Sequence, residues 1–233
     1  MVLLLLKRIY DLKGNAFQKM DFTRYRHIIW DWNGTLLDDA WLCVEVMNGM
    51  LKKRGLPLLT LEIYRSIFDF PVKDYYIKLG FDFEQEPFEK VGMEFMVLYN
   101  LRQRECSLHP EVKQVLETVH EKGYLQSILS AREEQELRQE VKQLGVSPFF
   151  KEVYGLDDHY AHGKTDVGIR LLQKLNTQKE QVLFIGDTLH DAEVARELGI
   201  DCILVPNGHQ SEERLRRCEC RLTGSLKNIT EWL

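Results

Sequence analysis

The stretch HIIWDWNGTLLDD, His27 to Asp39, decides the reading of this chain. Four bulky residues, His27-Ile28-Ile29-Trp30, run into Asp31, and a glycine turn follows at Gly34. A short apolar run closed by a turn signal is the pattern of a buried strand. Such a strand delivers the Asp31 carboxylate to its own carboxyl end, where ligands bind in open α/β sheets. Two positions on stands Asn33, an amide close to that carboxylate.

Similar runs recur further along. They are YLQSILS (Tyr124 to Ser130), the weaker KEVYGL, QVLFIGD (Gln181 to Asp187) and DCILVP (Asp201 to Pro206). Helical patterns lie between them: AREEQELRQEVKQLG with Gly145 as its C-cap, GKTDVGIRLLQKLN and HDAEVARELG. Strand–helix alternation predicts an α/β fold, a Rossmann-like parallel sheet with right-handed crossovers and helices on both faces. The C-terminal CRLTGSLKNITEWL reads as a last short strand and helix.

One gap breaks the rhythm. From Asp38 to about Leu108 no strand pattern appears, and the stretches there are helical. In one of them Phe88, Val91, Phe95 and Leu98 share a stripe. A crossover needs one helix. Several suggest an inserted α-helical cap subdomain, placed just after the carboxylate strand and able to close over it. The expected organisation is an N-terminal extension over 1–22, a core of 23–38 and 108–233, and a helical cap over 39–107.

Bulk properties narrow the classes. A chain of 233 residues with 44% apolar content can build one packed core with a modest insertion. The net charge of −5, from 31 basic and 36 acidic residues, argues against nucleic acid as a partner. The five cysteines are scattered, which reads as free thiols in a reducing, cytoplasmic setting. The apolar run Val2 to Leu6 precedes its charges Lys7 and Arg8 and is short, so neither an export signal nor a membrane span is expected. Either the first residues form a packed amphipathic extension, or Met20 is the biological start.

Four features stand in order at or beyond strand ends: Asp31, Ser130, Lys164 in HGKTDVG, and Asp187 with Asp191 in GDTLHD. Each alone is a common turn or helix-cap residue. Together they meet the needs of phosphoryl transfer. A carboxylate attacks phosphorus, and carboxylates from separate strands hold Mg2+, which prefers oxygen. A hydroxyl, an ammonium and backbone N–H groups hold the remaining phosphate oxygens.

The set resembles the haloacid dehalogenase superfamily, whose phosphoglycolate phosphatase-like branch carries a helical cap between the first two motifs. The first motif, hydrophobic residues then Asp-x-Asp-Gly-Thr, reads Asp31-Trp32-Asn33-Gly34-Thr35 here. Ser130, Lys164 and GDTLHD match the other three, and CILVPNGHQS resembles the segment after the fourth. The resemblance implies that Asp31 is the nucleophile and a metal ligand. It implies further ligands in the Asn33 carbonyl, Asp187 and Asp191. Gly34, Thr35, Ser130 and Lys164 are then the phosphate-binding set, with Mg2+ as cofactor and a small phosphorylated metabolite as substrate. A monomer or homodimer is expected.

Asn33 departs from the pattern. In the family's phosphatases the second aspartate protonates the leaving group and then activates water, and an amide cannot exchange a proton that way. Losing general acid–base help typically costs ~10² to 10⁴-fold in rate. Three accounts of an active enzyme stay open: a good leaving group, another donor such as His190 or His162, or partial deamidation of Asn33. The alternatives are an attenuated phosphate-binding protein, or a phosphonate hydrolase using a cap lysine among Lys52, Lys53, Lys73 and Lys78. Arg65, Asp69 and Lys73 are candidate contacts for the substrate's far end.

Overall fold

The computed structural model describes residues 22–156 and 163–232. Its main sheet has six parallel strands in the order β5-β4-β1-β6-β7-β8. These are β1 (His27–Trp30), β4 (Leu125–Glu133), β5 (Glu152–Leu156), β6 (Val182–Gly186), β7 (Asp201–Leu204) and β8 (Arg221–Leu222). A separate antiparallel pair, β2 (Leu37–Asp38) and β3 (Ser107–Leu108), stands beside it.

The sheet is covered on both faces, as its apolar strands require. Successive side chains of a strand point to opposite faces. Ile28 and Trp30 of β1, with Leu183 and Ile185 of β6, enter one apolar cluster. Ile29, Val182 and Phe184 enter the other. The first cluster takes in α5 (Val112–Glu121), through Val112, Val115, Leu116 and Val119, and α6 (Glu134–Gln143), through Leu137 and Val141. The second is closed by α7 (Lys164–Leu175) and α8 (Leu189–Leu198), through Val167, Leu171, Val194 and Leu198. Short α9 (Glu212–Leu215) and α10 (Lys227–Trp232) follow. Gly145, just past α6, takes φ +74°, the left-handed turn expected of it.

β1 is flanked by β4 on one side and β6 on the other. The strand order therefore reverses about β1, and the crevice at its carboxyl end is where such sheets place their ligands. Asp31 follows β1 and Asp187 follows β6, so the two carboxylates emerge from neighbouring strands.

Four helices are inserted between β2 and β3: α1 (Ala40–Lys53), α2 (Leu61–Ile67), α3 (Val72–Lys78) and α4 (Phe88–Arg102). α1 packs on α2 and α4, and their apolar residues join the first core cluster. Arg54 ties the insertion internally by pairing with Glu86 at 2.8 Å and Glu94 at 2.5 Å.

Three expectations need correcting. The segment after Asp38 is not strand-free at its ends, because β2 and β3 pair Leu37 with Leu108 and Asp38 with Ser107 where the chain leaves and re-enters the core. Ser130 does not end its strand. β4 runs on to Glu133 with a register shift between Leu129 and Glu133, so Ala131 to Glu133 are strand rather than helix. Cys218 and Cys220, with Cα atoms 5.2 Å apart in one loop, are joined as a disulfide, while Cys43, Cys106 and Cys202 are free. The two readings of the N-terminal segment and the suggestion for His162 lie outside the described residues. Among the described residues no helix is long and apolar enough to cross a membrane.

Candidate active site

Asp31, Asp187 and Asp191 converge at the end of the sheet, with carboxylate oxygens within 4.8 Å of one another. They are 6%, 0% and 2% exposed. The Asp31 N–H donates to the Ile185 carbonyl at 2.8 Å, extending the β1–β6 ladder by one bond and fixing the residue's position. Lys164, the first residue of α7 and itself buried, donates to Asp31 Oδ1 and, at 2.6 Å, to Asp191 Oδ1. Asp191 Oδ2 also closes a capping box on α8, accepting from the Thr188 N–H at 2.9 Å and its hydroxyl at 2.7 Å. One carboxylate therefore both caps a helix and faces the site.

Charge at this point does not balance. Three buried carboxylates face one lysine, and an unpaired buried charge is expensive. Burial pushes the Asp31 carboxyl up; Lys164 pulls it down, but Asp191 and Asp187 add to the rise, leaving it at about 8. Burial, with Asp191, also raises Asp187 against the pull of His209. Asp191 is held low, because Lys164 and the Thr188 bonds outweigh its burial. An all-oxygen donor set with excess negative charge fits a hard divalent cation, which would return Asp31 to the carboxylate form.

Thr35 and Gly34 lie behind this centre. The Thr35 hydroxyl is within 2.8 Å of Asp187 Oδ1 and 3.1 Å of Asp31 Oδ2. The Gly34 N–H donates to Asp39 Oδ1 at 2.8 Å and to the Leu37 carbonyl at 2.9 Å. Both groups are bonded within the protein and neither residue lines the cavity; in this conformation they hold the loop and its carboxylates. Gly34 has φ +78°, and a Cβ there would stand 2.5 Å from Asp187 Oδ2. No other residue fits that position. Ser130 is buried, lines the cavity, and accepts from the Arg132 N–H at 3.2 Å.

Asn33 is bound into a cluster that sequence reasoning missed. Its Nδ2 donates to Asp39 Oδ2 at 2.9 Å and lies 3.1 Å from the Tyr99 hydroxyl, which donates to the same oxygen at 2.8 Å. His209 Nε2 is 3.3 Å from Asp39 Oδ1, and its Nδ1 meets the Tyr64 hydroxyl at 2.8 Å. Burial alone would lower His209, but Asp39, Asp187 and Asp31 outweigh it and hold it up at about 9. Burial alone would raise Asp39, but His209 and the bonds from Asn33 and Tyr99 hold it below the usual carboxylate range. Asp39 stands at the N-cap of α1 yet makes no cap bond, since its carboxylate turns to the loop instead. Its place in LLDD and that of His209 in NGHQS were the available signals, and neither carries a spacing rule.

A cavity of about 540 Å³ opens from the carboxylates toward the helical insertion. His190 lines it, with its ring 4.6 Å from that of Phe70. The three far-end candidates do not line it, because their side chains are engaged elsewhere. Arg65 donates to the Gly208 and Asn207 carbonyls at 2.8 Å, Asp69 pairs with Arg214 at 2.8 Å, and Lys73 lies over the Phe83 and Phe88 rings. Lys52, Lys53 and Lys78 are likewise absent from the wall, which removes the support for an imine-forming phosphonate hydrolase.

Residues 28–205 match the family model described as haloacid dehalogenase-like hydrolase. The chain belongs to this family. Among curated relatives, the hydrolase is 26% identical to an N-acetylmuramic acid 6-phosphate phosphatase of Pseudomonas putida, over 80% of this chain and 85% of the relative. It is 24% identical to a phosphoglycolate phosphatase of Aliivibrio fischeri, over 82% and 88%. Its fold superposes with a TM-score of 0.78 on a haloacid dehalogenase-like family protein from Streptococcus pneumoniae, at 22% identity and covering 90% and 99% of the two chains.

Proposed function

We propose that this hydrolase is a Mg2+-dependent phosphatase acting on a small organic phosphate monoester through an aspartyl phosphate on Asp31. The observation that carries the reading is the convergence of three buried carboxylates on one point, with Lys164 bridging two of them. The phosphatase names of the relatives agree with it.

In this mechanism Asp31, oriented by the β1–β6 ladder and by Thr35, attacks phosphorus through one carboxylate oxygen. Lys164 holds the nucleophile in place and offsets its charge, and with Ser130 it binds phosphate oxygens. Asp31, the Asn33 carbonyl, Asp187 and Asp191 would hold Mg2+, which supplies charge compensation between the anionic nucleophile and the phosphate dianion. Water then attacks the phosphorus of the aspartyl phosphate, releasing inorganic phosphate and restoring Asp31. The helical insertion, residues 39–107, acts as a cap over a core of 23–38 and 108–233. Tyr64 and Arg65 of α2 bond to the loop 207–209, so the described conformation is closed.

Asn33 supports a second reading, a phosphate-binding protein with little turnover. Assaying p-nitrophenyl phosphate and an ester panel with and without Mg2+, with Asp31→Asn and Asn33→Asp alongside, separates the two. The phosphatase reading expects metal-dependent release that Asp31→Asn abolishes. Turnover by Asn33→Asp alone would favour the attenuated binder.

A further inference from the structure

Resting on the phosphatase reading, we infer that the substrates are aryl phosphates: monoesters of a phenol-like alcohol, with an apolar ring and no second anionic group. Two independent features converge on this class.

The first is the cavity wall. Beyond the carboxylates it is built from the rings of Phe70, Tyr75, Tyr76, Phe88 and Phe95, with Met96. The rings pack edge-to-face on one another. Tyr76 and Phe88 have centroids 5.9 Å apart, and Phe68, another wall residue, lies 5.2 Å from Tyr75. Such a wall suits a flat apolar ring. It suits a sugar poorly, because hydroxyl groups buried without partners are costly. The Tyr75 hydroxyl, buried and without a hydrogen-bond partner, is a polar group available to a ring substituent. Among the lining residues the Lys and Arg side chains are Lys164 and Arg132. Arg132 is already engaged by Glu136 at 3.4 Å and Glu140 at 3.8 Å, and it lies over the Tyr99 ring. Glu89 and Glu133 add negative charge to the wall. A carboxylate or second phosphate at that end would have to compete with Glu136 and Glu140 for Arg132, whose buried Nε has no hydrogen-bond partner.

The second feature is Asn33. Its amide is committed to Asp39 and Tyr99 and has no proton to give to a leaving oxygen. When Asp31 attacks, the new Asp31 O–P bond forms as the P–O bond to the alcohol breaks, and the electron pair leaves on that oxygen. A phenol, with a pKa of about 10, accepts the pair as phenolate far more readily than an aliphatic alcohol does. Water then attacks phosphorus, yielding inorganic phosphate and the free Asp31 carboxylate; its protons pass to the phosphate and the released phenolate. Protonation is thus required least for the class of substrate that the wall accommodates best.

The test is kcat/KM with Mg2+ for phenyl phosphate, benzyl phosphate, phosphoglycolate and a hexose phosphate, using the full chain and two variants. Phenyl phosphate is expected to exceed benzyl phosphate by about 10²-fold or more, the acid-catalysis factor that only the alkyl ester misses. Both aromatic esters should have lower KM than phosphoglycolate. Phe70→Ala should raise KM for the aromatic esters several-fold more than it raises KM for phosphoglycolate. Asn33→Asp should narrow the phenyl-to-benzyl ratio. Turnover of phosphoglycolate or the hexose phosphate equal to or above that of phenyl phosphate would overturn the inference while leaving the phosphatase reading intact. Absence of turnover on every ester would overturn both, and Mg2+-dependent binding of inorganic phosphate would then favour the attenuated binder.

Discussion

Replacing Asn33 by Asp probes the loop most informatively. In the native chain Asn33 Nδ2 donates to Asp39 Oδ2 at 2.9 Å. Asn33→Asp sets a second carboxyl against one that His209, the Gly34 N–H and Tyr99 already hold in its charged form. With charge centres about 4 Å apart and an effective dielectric of about 20, the repulsion is about 4 kcal/mol, or about 3 pKa units. The new carboxyl, ordinarily near 3.9, then titrates near about 7. It is protonated below that pH and able to donate. kcat/KM for benzyl phosphate should rise by about 10² to 10⁴-fold, or about 3–5 kcal/mol of barrier, and the gain should fade above about pH 7. Stability moves the same way. A carboxyl whose folded pKa is raised binds more protons folded than unfolded, so the variant loses up to about 4 kcal/mol relative to the native chain as pH rises from about 4 to about 8. Initial rates across pH, with urea unfolding at each pH, measure both. A folded variant with no gain on benzyl phosphate at any pH would refute the claim that position 33 is where the proton is missing.

Three further outcomes follow from the geometry. His27 is buried and neutral, lowered to about 4 by burial and then by Lys151. Because the unfolded chain binds the extra proton, stability is lost as pH falls through 6.5 toward 4, by about 2 kcal/mol between about pH 7 and about pH 5. Urea unfolding should show this slope and His27→Gln should flatten it; equal slopes would contradict it. Lys164→Gln leaves Asp31 and Asp191 without their shared ammonium and should cost about 3–5 kcal/mol in denaturant unfolding. Added Mg2+ should restore more stability to that variant than to the native chain. Gly34→Ala forces a Cβ to 2.5 Å from Asp187 Oδ2 at φ +78°, so Mg2+ affinity by calorimetry should fall at least about tenfold, as for other perturbed ligand supports.

Much of the fold was legible because its central strands are buried on both faces. HIIW and VLFIG are continuous apolar runs with buried residues throughout, and a turn signal ends each at a carboxylate. Strands β2 and β3 were not legible, since two residues carry no period. Ala131 to Glu133 read as helix because their charges suggest a solvated face, yet Arg132 is buried between Glu136, Glu140 and the Tyr99 ring. In the site, Asp31, Lys164, Asp187 and Asp191 each sit beside a strand end or helix start, which a linear pattern can mark, whereas Ser130 lies inside β4. Asp39, Tyr99 and His209 meet only through the closure of the insertion on the core, across separations that no local pattern records. The same closure draws Arg65 and Asp69 into contacts with the 207–214 segment and away from the cavity.

The central claim is that Asp31 takes the phosphoryl group. With Asn33 unable to activate water, hydrolysis of the aspartyl phosphate should lag behind its formation from phenyl phosphate, so the intermediate should accumulate. Acid-quenched turnover with Mg2+, followed by peptide mass spectrometry, reads this directly. The account predicts a phosphoryl adduct on the peptide bearing Asp31, absent in Asp31→Asn and without added Mg2+. Sustained turnover with no adduct on Asp31, or turnover that survives Asp31→Asn, would contradict it.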